Sequence, residues 1–546
     1  MKKKGFIFAA AAMMAIGMAA CGNQNSSDNT KTSNNGTTKP INWMETTELV
    51  TLDPSKASDS ISQNTLQNTN QGLLININGS TVKPGVAKDY SVSKDGKTYT
   101  FNLRHSKWSD GSEVTAQDFV YGMQRTVNPK TASQTAYDFD HVENYDAVRN
   151  GKMPLSSLGV KAVGKYKLVI KLSQPEPYFK YLITGSDFFP QKEAFVKKYG
   201  SKYGTSAQTS IYNGPYKVTN WNGTNESWTL VKNNEYWNAD HTKIQKVKVN
   251  VEKDSGTAYN EYQSGKLDEM MLSTKQQVDH YKNSPEYHQR SNSGTYYVEL
   301  NQKKVAAFRN MNIRKALSMI INRAQFTNDV MGDGSFPAKG AVGKGVAKYN
   351  GKDFTDAAYV KDAVSYNEKE AKALFAKGLK QIGKKSISAT ITYDDTPLGK
   401  SVNEFLQSAF QKLPGFKVNT QNVPQKTRMT RAASGQFDIT VAGWQTNYPD
   451  PMAYLKLFTK DNPYNFGKWN NAAYNQYVNA AETTDANNPG KRWDDMIKAQ
   501  KILMDEQGII PFYQRSQPQV MKTNIKGIGY SPTGAIWNFT DAYLTK

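Results

Sequence analysis

Cysteine occurs once in 546 residues, which excludes an intramolecular disulfide framework and any metal site built from several thiolates. The histidines are also few. His105, His141, His241, His280 and His288 show no H-E-x-x-H spacing or other metal-ligand pairing, so no metal and no cofactor is expected. Neither a G-x-S-x-G elbow nor a G-x-x-x-x-G-K-[ST] loop is present, and the glycine-rich piece at 332–345 lacks the order a phosphate loop needs. An enzyme is not expected. Acidic side chains are in deficit, 48 against 69 Lys and Arg, for a net charge of +21. Yet beyond residue 4 no run of lysines exceeds two, which argues against a nucleic-acid groove. The excess reads as a solvated surface facing anionic headgroups or wall polymers, screened by salt. After residue 20 no stretch is long and apolar enough to span a bilayer.

What is present begins at the amino terminus. Lys2, Lys3 and Lys4 precede the uncharged, apolar segment Phe6 to Ala20, the pattern of a secretory signal in 1–20. Met18-Ala19-Ala20-Cys21-Gly22 resembles the bacterial lipobox, which implies acylation of Cys21 and anchoring at the outer face of a membrane. Residues 21–40, nearly all polar, read as a flexible tether.

Downstream, period-two alternation predicts strands in 98–104, 168–172, 247–251, 387–393, 416–423, 437–444 and 509–515, and a hairpin at 211–233. Helical spacing predicts helices over 115–128, capped by Thr115 and ended by Pro129, and over 308–330, 366–380, 398–412, 471–484 and 489–507. The mixture is α/β, with like elements far apart in sequence, as when one domain is inserted into another.

The segment TYTFNLRHSKWSDGSEVTAQDFVYGMQRTVNP (98–129) resembles the signature of oligopeptide-binding proteins of peptide ABC importers. TLDP (51–54), QGLL (71–74), NGPYKVTNW, YQSGKLD (262–268), GTYYVELN (294–301), NIRKALSMIINR (312–323), FDITVAGWQTNYPDP (437–451) and IIPFYQR (509–515) follow in the family's order. The resemblance implies a two-lobed, periplasmic-binding-protein-like (Venus flytrap) α/β fold with an additional domain in lobe one. The base of lobe one is expected from 41–60, 166–280 and 506–546, the inserted domain from 61–165, and lobe two from 281–505.

It implies further that a peptide lies extended in the cleft and pairs its main chain with a protein strand, a mode that tolerates many sequences. Carried over position by position, the strand beside the ligand is Ala442-Gly443-Trp444-Gln445, and the opposing wall is Ser58-Asp59-Ser60. Gly443 would permit close backbone approach; Trp444 would be a flat apolar wall or a core filler. The helix at 115–128 is structural. Many relatives carry Asp where Asn447 stands and Arg where Val441 stands, so a clamp on both charged ligand ends is in question. Three outcomes are open: Asp450 or Asp59 supplies the missing charge, the ligand's amino end is blocked or extends past the site, or the ligand is another amide-bearing molecule such as a cell-wall peptide. The expected partners are a peptide, the permease and ATPase subunits of an importer, and a membrane through Cys21, with no nucleic acid and a monomeric chain. The alternatives are a pheromone or cell-wall-peptide receptor without transport, and an extracytoplasmic chaperone.

Overall fold

The hairpin at 211–233 sets the first sheet. A computed structural model describes residues 39–79 and 81–545. Strands Tyr216–Thr219 and Ser227–Lys232 pair antiparallel, Lys246–Val251 joins the second of them, and Ile41–Glu45 adds parallel to the outer edge. Alternation does the rest: Val247, Val249 and Val251 face one side and are buried with Trp43. The Trp43 ring meets Trp537 and Phe539 edge-on at 5.1 and 5.0 Å, so the carboxyl-terminal segment closes over the first strand.

A second antiparallel sheet orders Ala87–Val92, Thr98–Leu103, Lys167–Lys171 and Val160–Ala162. Helix Ala116–Val127 packs its apolar face on this core. Thr115 and Asp118 form the capping box, with the Thr115 N–H donating to Asp118 at 2.7 Å. The helix also carries Arg125, which grips Asp53 of the TLDP segment through two bonds of 2.6 and 2.7 Å. Gly204 sits at φ +75° with its missing Cβ pointing 2.3 Å from the Asp53 nitrogen, a place no side chain fits.

The third sheet has six strands in the order Phe336–Pro337, Ile510–Ser516, Ser291–Leu300, Ile439–Trp444, Ile387–Asp394 and Phe416–Val423. Helices Met311–Met319, Glu368–Gln381 and Pro397–Gln411 contribute to its core. One expected helix is broken. In place of a continuous 308–330 the chain makes Met311–Met319, a short turn Arg323–Gln325 and a π-helical turn Phe326–Met331. Asn322 leaves helical geometry and caps the restart, and buried Arg323 donates to the carbonyls of Pro511 and Val364.

The expected domain segments shift at two places. Strand Lys167–Lys171 completes the second sheet, not the base, and Ile510–Ser516 belongs to the six-stranded sheet rather than to lobe one. Two chain crossings link this sheet to a further one, at 289–290 and at 517–518. There two antiparallel strands run on from the six-stranded sheet into a three-stranded one, Glu269–Met271 with Gln519–Met521 and Tyr287–His288. At the crossing the Gln517 N–H donates to the Arg290 carbonyl at 2.7 Å.

Glu45, Glu269 and Glu299 are fully buried, and burial pushes each carboxyl up to about 8. The native state therefore binds protons that the unfolded chain has already released above about pH 4.3. Stability falls as pH rises from about 5 through 8. His141, pushed up by its hydrogen bond with Glu176, works in the same direction, while exposed Glu113, held below its usual range by Lys165, loses its contribution in acid. The thermal midpoint is expected to be highest near pH 5 and to decline toward pH 9, with Glu299→Gln flattening the decline. A scan of unfolding temperature against pH checks this, and a midpoint rising from pH 5 to 9 contradicts it.

Among the described residues no helix is long and apolar enough to cross a membrane. Cys21 and the expected signal and tether, through residue 38, lie outside the described residues.

Candidate functional site

Strand Ile439–Trp444 is paired along its length with Ser291–Leu300, Ala442 opposite Tyr297 and Gly443 opposite Tyr296. On its other side the neighbour Ile387–Asp394 pairs only with Ile439 and Thr440. From Val441 onward that side has no strand beside it among the described residues. The Val441 carbonyl is taken by Arg428 Nη1 at 3.1 Å, so it points away from Ser291–Leu300. Antiparallel alternation then turns the N–H and C=O of Gly443 outward in the same sense.

The space they face is a cavity of about 370 Å³ to which Ala442, Gly443, Trp444 and Gln445 all contribute. Its other walls are aromatic and charged, with Tyr296, Tyr393, Tyr464 and Tyr513 beside Arg428 and Arg515. Arg428 is neutralised by Asp394 at 2.6 Å, whereas Arg515 makes no ion pair among the described residues. Trp444 is half-buried, meets Tyr464 edge-on at 5.1 Å, and lines this cavity and a second one of about 250 Å³. It does both of the things expected of it, packing against the second lobe's core on one side and lining cavity wall on the other.

Gly443 has a different reason from the one its sequence context suggests. A Cβ there would lie 2.6 Å from the Tyr296 ring, which is stacked on Tyr513 at 4.5 Å and 4°. The aromatic ring already occupies the place of a side chain.

The second cavity brings Gln445 and Asn447 opposite Tyr137, Asp138, Asp140, Glu176 and Tyr178 of the other lobe. A third, of about 50 Å³, places Asn447 with Asp138, Asp187, Gln63, Gln67 and the 533–535 turn. Tyr448, next to Asn447, stacks on Tyr178 at 4.6 Å and 10°. The first cavity, lined by the second lobe alone, shares Trp444 and Gln445 with the second, and the second shares Asp138, Leu182 and Asn447 with the third; the second and third are lined from both lobes.

Two expectations are corrected. Asp450 does not supply charge to the cleft. It is buried, and both its oxygens are held by Arg492 at 2.8 Å. Asp59 is the amino-terminal cap of helix Ser60–Thr69, accepting from the Ser62 N–H at 2.8 Å. Neither it nor exposed Ser58 and Ser60 lines any of these three cavities; Gln63 and Gln67, farther along the same helix, do. Tyr296 lay in the segment GTYYVELN, and an antiparallel neighbour for 439–444 is the signal that could have found it.

Asp140, His141 and Glu176 bring one ligand atom each within 4.8 Å of one another, a grouping invisible in the sequence spacing. Both His141 nitrogens have protein partners, Glu176 at 3.0 Å and Gln174 at 3.0 Å, so the imidazole is engaged by the protein on both sides.

The model for bacterial extracellular solute-binding proteins, family 5, matches residues 81–466. The chain belongs to this family. A dipeptide-binding protein of Lactococcus lactis subsp. cremoris is 34% identical, over 98% of this chain and 98% of its own. The structure of Listeria monocytogenes OppA bound to peptide matches at 35% identity and TM-score 0.69, covering 93% of this chain and 99% of that one. The periplasmic murein tripeptide binding protein MppA in an unliganded open form matches at 29% identity and TM-score 0.81, covering 93% and 97%. The higher score at lower identity means that the backbone here superposes better on an open solute-binding protein than on a peptide-bound one. The fold is the two-lobed α/β architecture of this family of solute-binding proteins.

Proposed function

We propose that this chain captures peptides as an added strand along 441–445 and hands them to the permease of an ABC importer, from a membrane anchor on acylated Cys21. The observation that carries the reading is the side of strand Ile439–Trp444 left unpaired beyond Thr440 among the described residues, beside an aromatic cavity. A guest strand there gains main-chain bonds that every peptide offers, while the aromatic cavity accepts alternate side chains without demanding one. Arg515 is placed to meet a ligand carboxylate, in the role that a cation at 441 would otherwise play. Closure about the paired crossing strands would bury the guest and present both lobes to the permease.

The test is calorimetry with synthetic tri- to hexapeptides and with the same peptides N-methylated at alternate backbone nitrogens. Methylation on the phase that pairs with 441–445 is expected to weaken binding at least ~10-fold, and on the other phase much less, because one main-chain bond is worth about 0.5–1.5 kcal/mol and the methyl also obstructs approach. Equal effects on both phases would defeat strand pairing. Uptake of labelled peptide with and without the protein then separates an importer component from a receptor that delivers nothing.

A further inference from the structure

Asp187 lies in the short turn Ser186–Phe188, is only 6% exposed, and has an Oδ2 with no hydrogen-bond partner. Such an atom is expensive to leave unmet. It belongs to the wall of the 50 Å³ cavity, beside half-buried Asp138 and across from Asn447. Among the described residues no cationic side chain lines that cavity; its remaining walls are amides, hydroxyls, Tyr181, Leu182 and small residues. We propose that Asp138 and Asp187 form a subsite on the first lobe's wall of the cleft that takes a primary ammonium group of the bound peptide, with Asn447 opposite them.

An ammonium offers three donors in a compact cation, and the two carboxylates with the Asn447 amide oxygen offer acceptors from both lobes. The cavity has room for that group and a few waters. The placement also explains how a neutral residue stands at 447, since Asp450, the nearest carboxylate in sequence, is held by Arg492. Cleft closure would bring the lobes' halves of the subsite together.

Protonation supports the geometry. Burial and the nearby Asp140 and Glu176 carboxylates push Asp138 up to about 7, against the opposing pull of Lys456. Burial and Asp138 raise Asp187 well above the carboxylate range. Tyr137 and Tyr181, the phenols facing the pair, are raised by burial and stay neutral, and His141 is occupied by Glu176. The empty pair therefore holds at least one proton near pH 7, and an arriving cation expels it.

This inference rests on the peptide reading above, and the test keeps the two apart. The purified full chain is loaded with an equimolar library of synthetic tri- to hexapeptides and their N-acetylated counterparts, and retained ligands are read by mass spectrometry. Unmodified peptides are expected at least 10-fold enriched over acetylated ones, with the ratio falling toward one in Asp187→Asn and in Asp138→Asn. Asp138→Asn, at a half-exposed position, keeps the test open where Asp187→Asn fails to fold. Retention of acetylated peptides only when they contain lysine supports the subsite and assigns it to a side-chain ammonium. Calorimetry of a retained peptide at pH 7 in phosphate and in Tris is expected to show proton release in the wild type and less in either variant. Equal retention of both libraries by the wild type, or enrichment that survives both substitutions, overturns the subsite while leaving peptide capture standing. Retention of neither library overturns the peptide reading itself. A melting temperature raised by millimolar calcium in the wild type but not in Asp187→Asn overturns the ammonium assignment in favour of a metal.

Discussion

Gly443→Val is expected to abolish measurable peptide capture while the protein still folds. The new Cβ starts 2.6 Å from the Tyr296 ring, far inside contact distance, and the ring cannot slide along its stack because Tyr513 lies parallel to it at 4.5 Å. The escape is for Tyr296 to swing into the cavity, where it takes the volume a guest needs and tilts the strand edge that the guest pairs with. A loss of at least ~100-fold, about 2.7 kcal/mol, is expected by calorimetry, with Gly443→Ala intermediate. Because Gly443 is exposed and the ring has open space to enter, the unfolding midpoint should move little. Unchanged affinity in Gly443→Val would mean that the guest does not lie on this strand.

Arg492→Met should destabilise the second lobe by about 3–5 kcal/mol, since it leaves the Asp450 carboxylate buried without its partner. The guanidinium now gives Asp450 two bonds of 2.8 Å, and its Nε donates to the Ala481 carbonyl at 3.1 Å, tying helix Pro489–Asp505 to the loop that follows the binding strand. Replacing both partners, Asp450→Asn with Arg492→Met, should restore much of the loss because no buried charge is left uncompensated. Denaturant unfolding of the two single variants and the double variant measures the coupling. The folded double variant should keep its preference for free-amine peptides, because Asp450 faces Arg492 and not the cleft. Loss of that preference would return Asp450 to the role its sequence position suggests.

Much of the scaffold was legible locally. Thr115 announced the start of its helix, where it forms a box with Asp118, and the alternation of Val247, Val249 and Val251 announced a half-buried strand. The strand at 437–444 was expected and appears at Ile439–Trp444, and the four residues 442–445 do share one cavity wall. The single helix over 308–330 was misread because apolar spacing continues through Asn322, whose side chain competes with the backbone and restarts the helix. The domain limits were misplaced for a related reason. Strand Ile510–Ser516 carries the same kind of pattern whichever sheet it enters, and only its neighbours assign it.

The sequence by itself determined the α/β class and the strand at 437–444, because capping and alternation are written within a few residues of one another, and it determined the family through ordered segments that resemble it. The tertiary structure alone decided which charges remain available to a ligand. Asp450 meets Arg492 from 42 residues away and Asp53 meets Arg125 from 72, while Asp138, Asp187 and Asn447 converge from three separate segments. Whether a carboxylate is neutralised or left facing a cleft depends on what the folded chain brings within about 4 Å of it, and no periodicity records that distance.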